Sequence, residues 1–86
     1  LGFFMCSMIL EKATVEGCGK GNQGWFNLKE VNVYFDHPDH ADLEHAINID
    51  FVNEELGIDK RVAVELSPES AVKLIKAIEN AMAKGV

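Results

Sequence analysis

The sequence is poor in cysteine, proline and basic residues. It has 2 cysteines and 2 prolines in 86 residues, and 8 lysines and arginines against 14 aspartates and glutamates. Two cysteines cannot build the disulfide framework that holds many small secreted domains together. The net charge of −6 disfavours a nucleic-acid backbone or an anionic membrane surface as partner, because both would repel it. We therefore expect a soluble, cytoplasmic protein with no nucleic acid and no membrane among its partners.

Long hydrophobic runs are also lacking. The apolar stretch at residues 1–10 is too short for a bilayer span of about 20 residues. No basic residue precedes it and no small-residue cleavage site follows it, so it does not fit a signal peptide. We expect a single domain, 1–86, in which residues 1–4 are an extra N-terminal arm, residues 5–66 form a β-sheet and residues 67–84 a helix.

Alternating apolar and polar residues predict strands at about residues 6–16, 25–36, 44–53 and 61–66. Ser67 and Pro68 then supply an N-cap and a first helical residue. The helix carries one apolar stripe, formed by Ala71, Leu74, Ile75, Ile78, Ala81 and Met82. The fold class is therefore α+β, an antiparallel sheet of about four strands with one C-terminal helix packed on one face. One helix covers only about two strands, so we also expect a homo-oligomer.

The segment Gly17–Gly24 contains four glycines and is expected to break regular structure. Gly19–Gly24 matches the G-x-G-x-x-G pattern of dinucleotide-binding loops, but that function needs a helix to begin at the last glycine. A strand pattern follows instead, so we interpret the segment as a hairpin loop. An extended first strand would hold Cys6 and Cys18 far apart, so we expect both thiols to be free.

All three histidines lie between Asp36 and His45. If the second and third strands form a hairpin, His37, His40 and His45 meet at its mouth and can bind a divalent transition metal, with zinc as the default. The same segment offers carboxylates that can orient an imidazole by a hydrogen bond or serve as alternative ligands: Asp36, Asp39 and Glu44. Two other interpretations stay open: a plain polar turn, or a metal-free substrate or proton-transfer site.

Two further features have a plain and a functional interpretation. Cys18, beside Lys20, is either an exposed structural thiol or a reactive one. A row of polar residues on the strands is either a solvated face or a binding face; its members are Asn32, Tyr34, Asp36, Asn48 and Asp50.

Four stretches in this order and spacing resemble a known family: Met5–Ser7, Gly19–Phe26, Asp36–Ala41 with Glu44–Ala46, and Ile49–Asn53 followed by Arg61–Ala71. The chain resembles a small prokaryotic single-domain family of unknown function, over residues 5 to about 83. The resemblance implies a short intracellular protein and carries no established activity. From the residues themselves we expect a candidate histidine-rich metal- or ligand-binding loop. The alternative is a homo-oligomeric structural or interaction module with no metal and no catalysis.

Overall fold

The computed structural model describes residues 9–37, 42 and 44–85. In chain order its elements are β1 (Ile9–Gly21), β2 (Gly24–Asp36), β3 (Ala46–Val52), a 3-10 helix (Glu54–Leu56), β4 (Arg61–Leu66) and α1 (Pro68–Lys84). The strands form one antiparallel sheet in the order β1-β2-β3-β4. The described residues therefore confirm the predicted α+β fold.

The β1–β2 hairpin is longer than the sequence predicts. β1 continues through Gly21, which pairs with Gly24, so the turn consists of Asn22 and Gln23 alone. The expected break in regular structure at Gly17–Gly24 is thus wrong in extent, although the hairpin itself is confirmed. An irregularity in register between Thr14 and Gly17 adds one residue to β1, which increases the local bend of such a strand.

Close packing explains Gly19, one of the four glycines of this hairpin. A Cβ at Gly19 would lie 3.1 Å from Cδ2 of Leu28 and 3.2 Å from Cγ2 of Val62. β1 therefore approaches β4 as well as β2, and the sheet curls. Gly24 has a φ of 104°, which other residues rarely adopt. A dinucleotide loop requires a helix N-terminus after its last glycine, and here Gly24 begins the strand β2 instead.

α1 begins as predicted. The Ser67 hydroxyl accepts a hydrogen bond from the Ser70 amide at 3.1 Å, and Pro68 occupies the first turn. The helix contacts β3 and β4. Among its residues, only Pro68 and Ala71 are partly buried, and every residue from Val72 to Lys84 is exposed. The apolar stripe of α1 therefore has little cover within the described part of the chain.

The core of the described part is small. Its buried hydrophobic residues are Phe26, 8% exposed, and Ala46, 0% exposed. Cys6, whose thiol is predicted to be free, lies outside the described residues. Within the part of the chain that the structure covers, no helix combines the length and the apolar character that a membrane crossing requires.

Candidate functional site

The histidine connection, residues 37–45, joins the ends of two paired strands. β2 ends at Asp36 and β3 begins at Ala46, and these two residues pair with each other. Ala46 is completely buried, which fixes the base of the connection. His37, Glu44 and His45 stand just beyond this base and are exposed.

The His37 ring is held by the backbone. Its Nδ1 atom lies 2.9 Å from the carbonyl oxygen of Glu44. A carbonyl oxygen can only accept a hydrogen bond, so Nδ1 must be the donor and carry a proton. In a neutral imidazole this leaves the lone pair on Nε2, on the other side of the ring. The contact therefore fixes both the orientation and the tautomer of His37.

His45 lies against His37. Their ring centroids are 5.4 Å apart and their planes make an angle of 25°. On its other side, His45 contacts Phe35, with centroids 5.7 Å apart. Three rings thus lie in sequence at this end of the sheet, and the structure brings together two of the three predicted metal ligands.

One of the predicted carboxylates has a described contact with the backbone. Oδ1 of Asp36, which was expected to orient an imidazole or to bind the metal, accepts the backbone N–H of His37 at 2.7 Å, and those expected roles stay predictions. This is the local backbone bond that favours Asp in turns. The atom that holds the His37 ring is the backbone carbonyl of Glu44, not a side-chain carboxylate.

His40 and Asp39 lie outside the described residues. Among residues 9–37, 42 and 44–85, no group of three or more histidine, cysteine, aspartate or glutamate side chains is arranged to hold a metal ion. The three-histidine site therefore stays a prediction, with His37 and His45 as its described members.

Sequence reasoning missed Phe35 and the Glu44 carbonyl. Alternation along β2 and β3 places Phe35, His37 and His45 on one face, so the ring contacts could have been inferred from the strand pattern. The Glu44 carbonyl had no such signal, because every residue has a carbonyl and only the path of the chain aims this one at a ring.

The row of polar residues is less solvated than expected. None of its five members is exposed, and Asn32 is only 7% exposed. Asn32 stands between Lys12 and Asp50 in one row across three strands, so a side chain flanks it on each side. Its Oδ1 atom has no hydrogen-bond partner among the described residues. Asp50 accepts two hydrogen bonds from Arg61, each 3.1 Å, so its charge is already paired.

Cys18 is exposed and free, as predicted. Its thiol donates to Oδ1 of Asn27 at 3.3 Å. No histidine ring is among its described contacts, so the structure gives this thiol no base of the kind that activates a nucleophile.

Comparison with known proteins gives a family but no activity. No curated protein and no solved structure matches the chain. A family model does match, and it covers residues 5–86, which is nearly the whole chain. The chain belongs to DUF6295, a family of unknown function.

Proposed function

We propose that the protein binds a divalent transition-metal ion through His37 and His45, with zinc as the default ion. The observation that carries the proposal is the 2.9 Å contact between Nδ1 of His37 and the Glu44 carbonyl. Histidines that bind metals commonly donate their other ring N–H to a carbonyl or a carboxylate, which orients the ring and makes it a better ligand. His37 has this arrangement, and it leaves Nε2 as the ligand atom.

The spacing of the two rings supports the same function. With Zn–N bonds of about 2.0–2.1 Å and a tetrahedral angle, two imidazoles on one ion have ring centroids roughly 5 Å apart. His37 and His45 have centroids 5.4 Å apart before any ion is considered. Both side chains are exposed, so an ion reaches them without any opening of the fold.

His40 is the natural third ligand of the proposed site, because it lies in the same connection. Three imidazoles leave a fourth position on zinc for water or a substrate, as in catalytic zinc sites. Asp36, Asp39 and Glu44 are alternative ligands, or they accept hydrogen bonds from the imidazoles and so orient them. Ligation needs neutral imidazoles, so we expect affinity to fall as the solution is acidified.

The test is zinc titration by calorimetry, with chain that carries no histidine tag and has been stripped with a chelator. Replacing His37 or His45 with alanine should weaken binding by at least about 10–100-fold. Asp42→Ala is the matched control, because it removes an exposed carboxylate from the same connection that the proposed site does not use, and it should leave the affinity within a few-fold. Wild-type protein that binds zinc no better than the variant with all three histidines replaced by alanine would refute the proposal.

A second function, self-association as an interaction module, is favoured by a separate observation. Large hydrophobic side chains of α1 are exposed, among them Ile75 at 55%, Ile78 at 51% and Met82 at 69%. Complete burial of one such side chain contributes about 1.5–3 kcal/mol. A partner that covers this surface buries several of these side chains in part, and each then contributes a fraction of that free energy. We expect a homo-oligomer of at least twice 9.5 kDa by size-exclusion chromatography with light scattering.

The expected location is the cytoplasm. An exposed, free Cys18 suits a reducing compartment, where thiols are kept reduced.

A further inference from the structure

One face of the sheet is apolar over β3, over β4 and over the part of β2 that pairs with β3, Glu30–Asp36. The strand register places nine hydrophobic residues on it: Val31, Val33, Phe35, Ile47, Ile49, Phe51, Val62, Val64 and Leu66. We call this the apolar sheet face. All nine are half-buried or exposed, and Phe35 and Val64 are 39% and 37% exposed. The described residues thus leave this face incompletely covered.

The apolar stripe of α1 is the second incompletely covered surface. Its large residues, Leu74, Ile75, Ile78 and Met82, are 42–69% exposed. Together with Ala71 and Ala81, they repeat at about three positions in seven. This wide stripe is typical of a helix that packs on a sheet or in a globular core, whereas a two-stranded coiled coil needs only two positions in seven. The sequence of α1 therefore fits a sheet as its partner better than another helix.

Charge favours the same pairing. α1 contains three lysines and two glutamates, so its formal charge is +1. The chain as a whole is −6, so the rest of it is −7. Two sheets packed face to face would bring two strongly acidic bodies together, whereas α1 on a sheet brings a slightly basic element to an acidic one.

We infer that α1 of one copy packs its apolar stripe on the apolar sheet face of a second copy, and that the two contacts are reciprocal. The inference rests on the proposed self-association and names its surfaces. A reciprocal contact is isologous, so two copies close the assembly and no further surface is left to grow a filament.

The size of this contact suits a dimer. α1 has 17 residues, which makes it about 25 Å long and about 10 Å wide. Its footprint is therefore roughly 250 Å². Two such contacts, each counted on both surfaces, bury roughly 1,000 Å², which reaches the lower bound for specific interfaces.

The first experiment is a mass measurement on matched variants by light scattering, with circular dichroism as the check on folding. Ile78→Glu places a charge in the stripe, and Asn80→Glu places the same charge on the opposite side of α1. We expect wild type and Asn80→Glu to be dimers at micromolar concentration and Ile78→Glu to be a folded monomer. A monomeric wild type would overturn both the self-association and the inference. A dimeric, folded Ile78→Glu would overturn the inference alone.

The second experiment does not depend on a disruptive variant. In chains with Cys6→Ser and Cys18→Ser, one copy receives Ile78→Cys, and a second copy of different mass receives Val64→Cys on the apolar sheet face. A short bismaleimide should join the two copies. The control copy has Ala63→Cys, which is exposed on the other face of the same strand, and should not be joined to Ile78→Cys.

The products separate the possible arrangements. A covalent product between Ile78→Cys and Val64→Cys supports the helix-on-sheet dimer. If the protein is a dimer but gives only a product between two Ile78→Cys chains, or neither product, the helix-on-sheet inference is overturned while self-association stands.

Discussion

Two connections of the sheet, both rich in residues that suggest function, turn out to be very different. In the β1–β2 hairpin, packing accounts for Gly19, because this glycine lies against Leu28 and Val62. In the histidine connection, His37 and His45 are exposed, and their described contacts are with each other, with Phe35 and with the Glu44 carbonyl. Where the fold itself requires the residues of a motif, no function is needed to explain that motif. Residues that the fold does not require remain candidates for chemistry.

The β3–β4 connection is a third member of this comparison and the one most tightly bound. Asn53 is 3% exposed, donates to the Asn27 carbonyl at 2.9 Å, and accepts from the Glu55 amide at 3.2 Å. Asn53→Ala removes both bonds of a buried side chain. Each bond contributes about 0.5–1.5 kcal/mol, so we expect it to lower the free energy of unfolding by about 1–3 kcal/mol, measured by urea denaturation.

Asn80→Ala is the control for Asn53→Ala, because it removes the same side chain from an exposed position on α1. It should change stability by less than about 0.5 kcal/mol. Equal effects of the two substitutions would mean that Asn53 does not hold this connection.

Gly19→Val tests whether close packing explains the glycine at this position of the β1–β2 hairpin. The new side chain has no room between Leu28 and Val62, and overpacking of this kind costs about 1–3 kcal/mol. Lys20→Val introduces the same residue at the exposed neighbouring position and should cost less than about 0.5 kcal/mol. Thermal unfolding of both variants compares them, and a Gly19→Val protein as stable as wild type would remove the packing explanation.

The link between β4 and α1 is expected to show an intermediate effect. Ser67→Ala removes the N-cap bond to the Ser70 amide and should cost about 1 kcal/mol. Ser70→Ala keeps that bond, so its effect should be smaller. If urea denaturation ranks the two variants in the opposite order, the hydroxyl of Ser67 is not the effective cap.

The smallest effect is expected at the histidine connection. His37→Ala removes one exposed hydrogen bond, so in the presence of a chelator it should cost about 0.5–1 kcal/mol. Added zinc should raise the melting temperature of the wild type more than that of His37→Ala, because a ligand stabilises the folded state in proportion to how tightly it binds that state. A loss above about 2 kcal/mol without metal would instead place His37 among the structural residues and remove the contrast with Gly19.

The sequence predicts most of the fold because its signals are local. Alternation locates β2, β3 and β4, and the hydroxyl of Ser67 followed by Pro68 marks the start of α1. The continuation of β1 to Gly21 could not be predicted in this way. Glycine is a weak strand former, and here the contact with β4 decides its conformation. At the site, the alternation of side chains along two paired strands brings His37 and His45 together. The position of the carbonyl that fixes the His37 tautomer depends instead on the path of the whole connection.

The strand order β1-β2-β3-β4 also bears on how the chain folds. Each strand pairs with its neighbour in the sequence, so the sheet can grow hairpin by hairpin through short loops. The contact of Gly19 with Val62 is different, because it joins positions 43 residues apart and closes a long loop. Contacts of this range are formed at a high entropic cost, so the curl of the sheet, rather than its pairing, is expected to limit the folding rate.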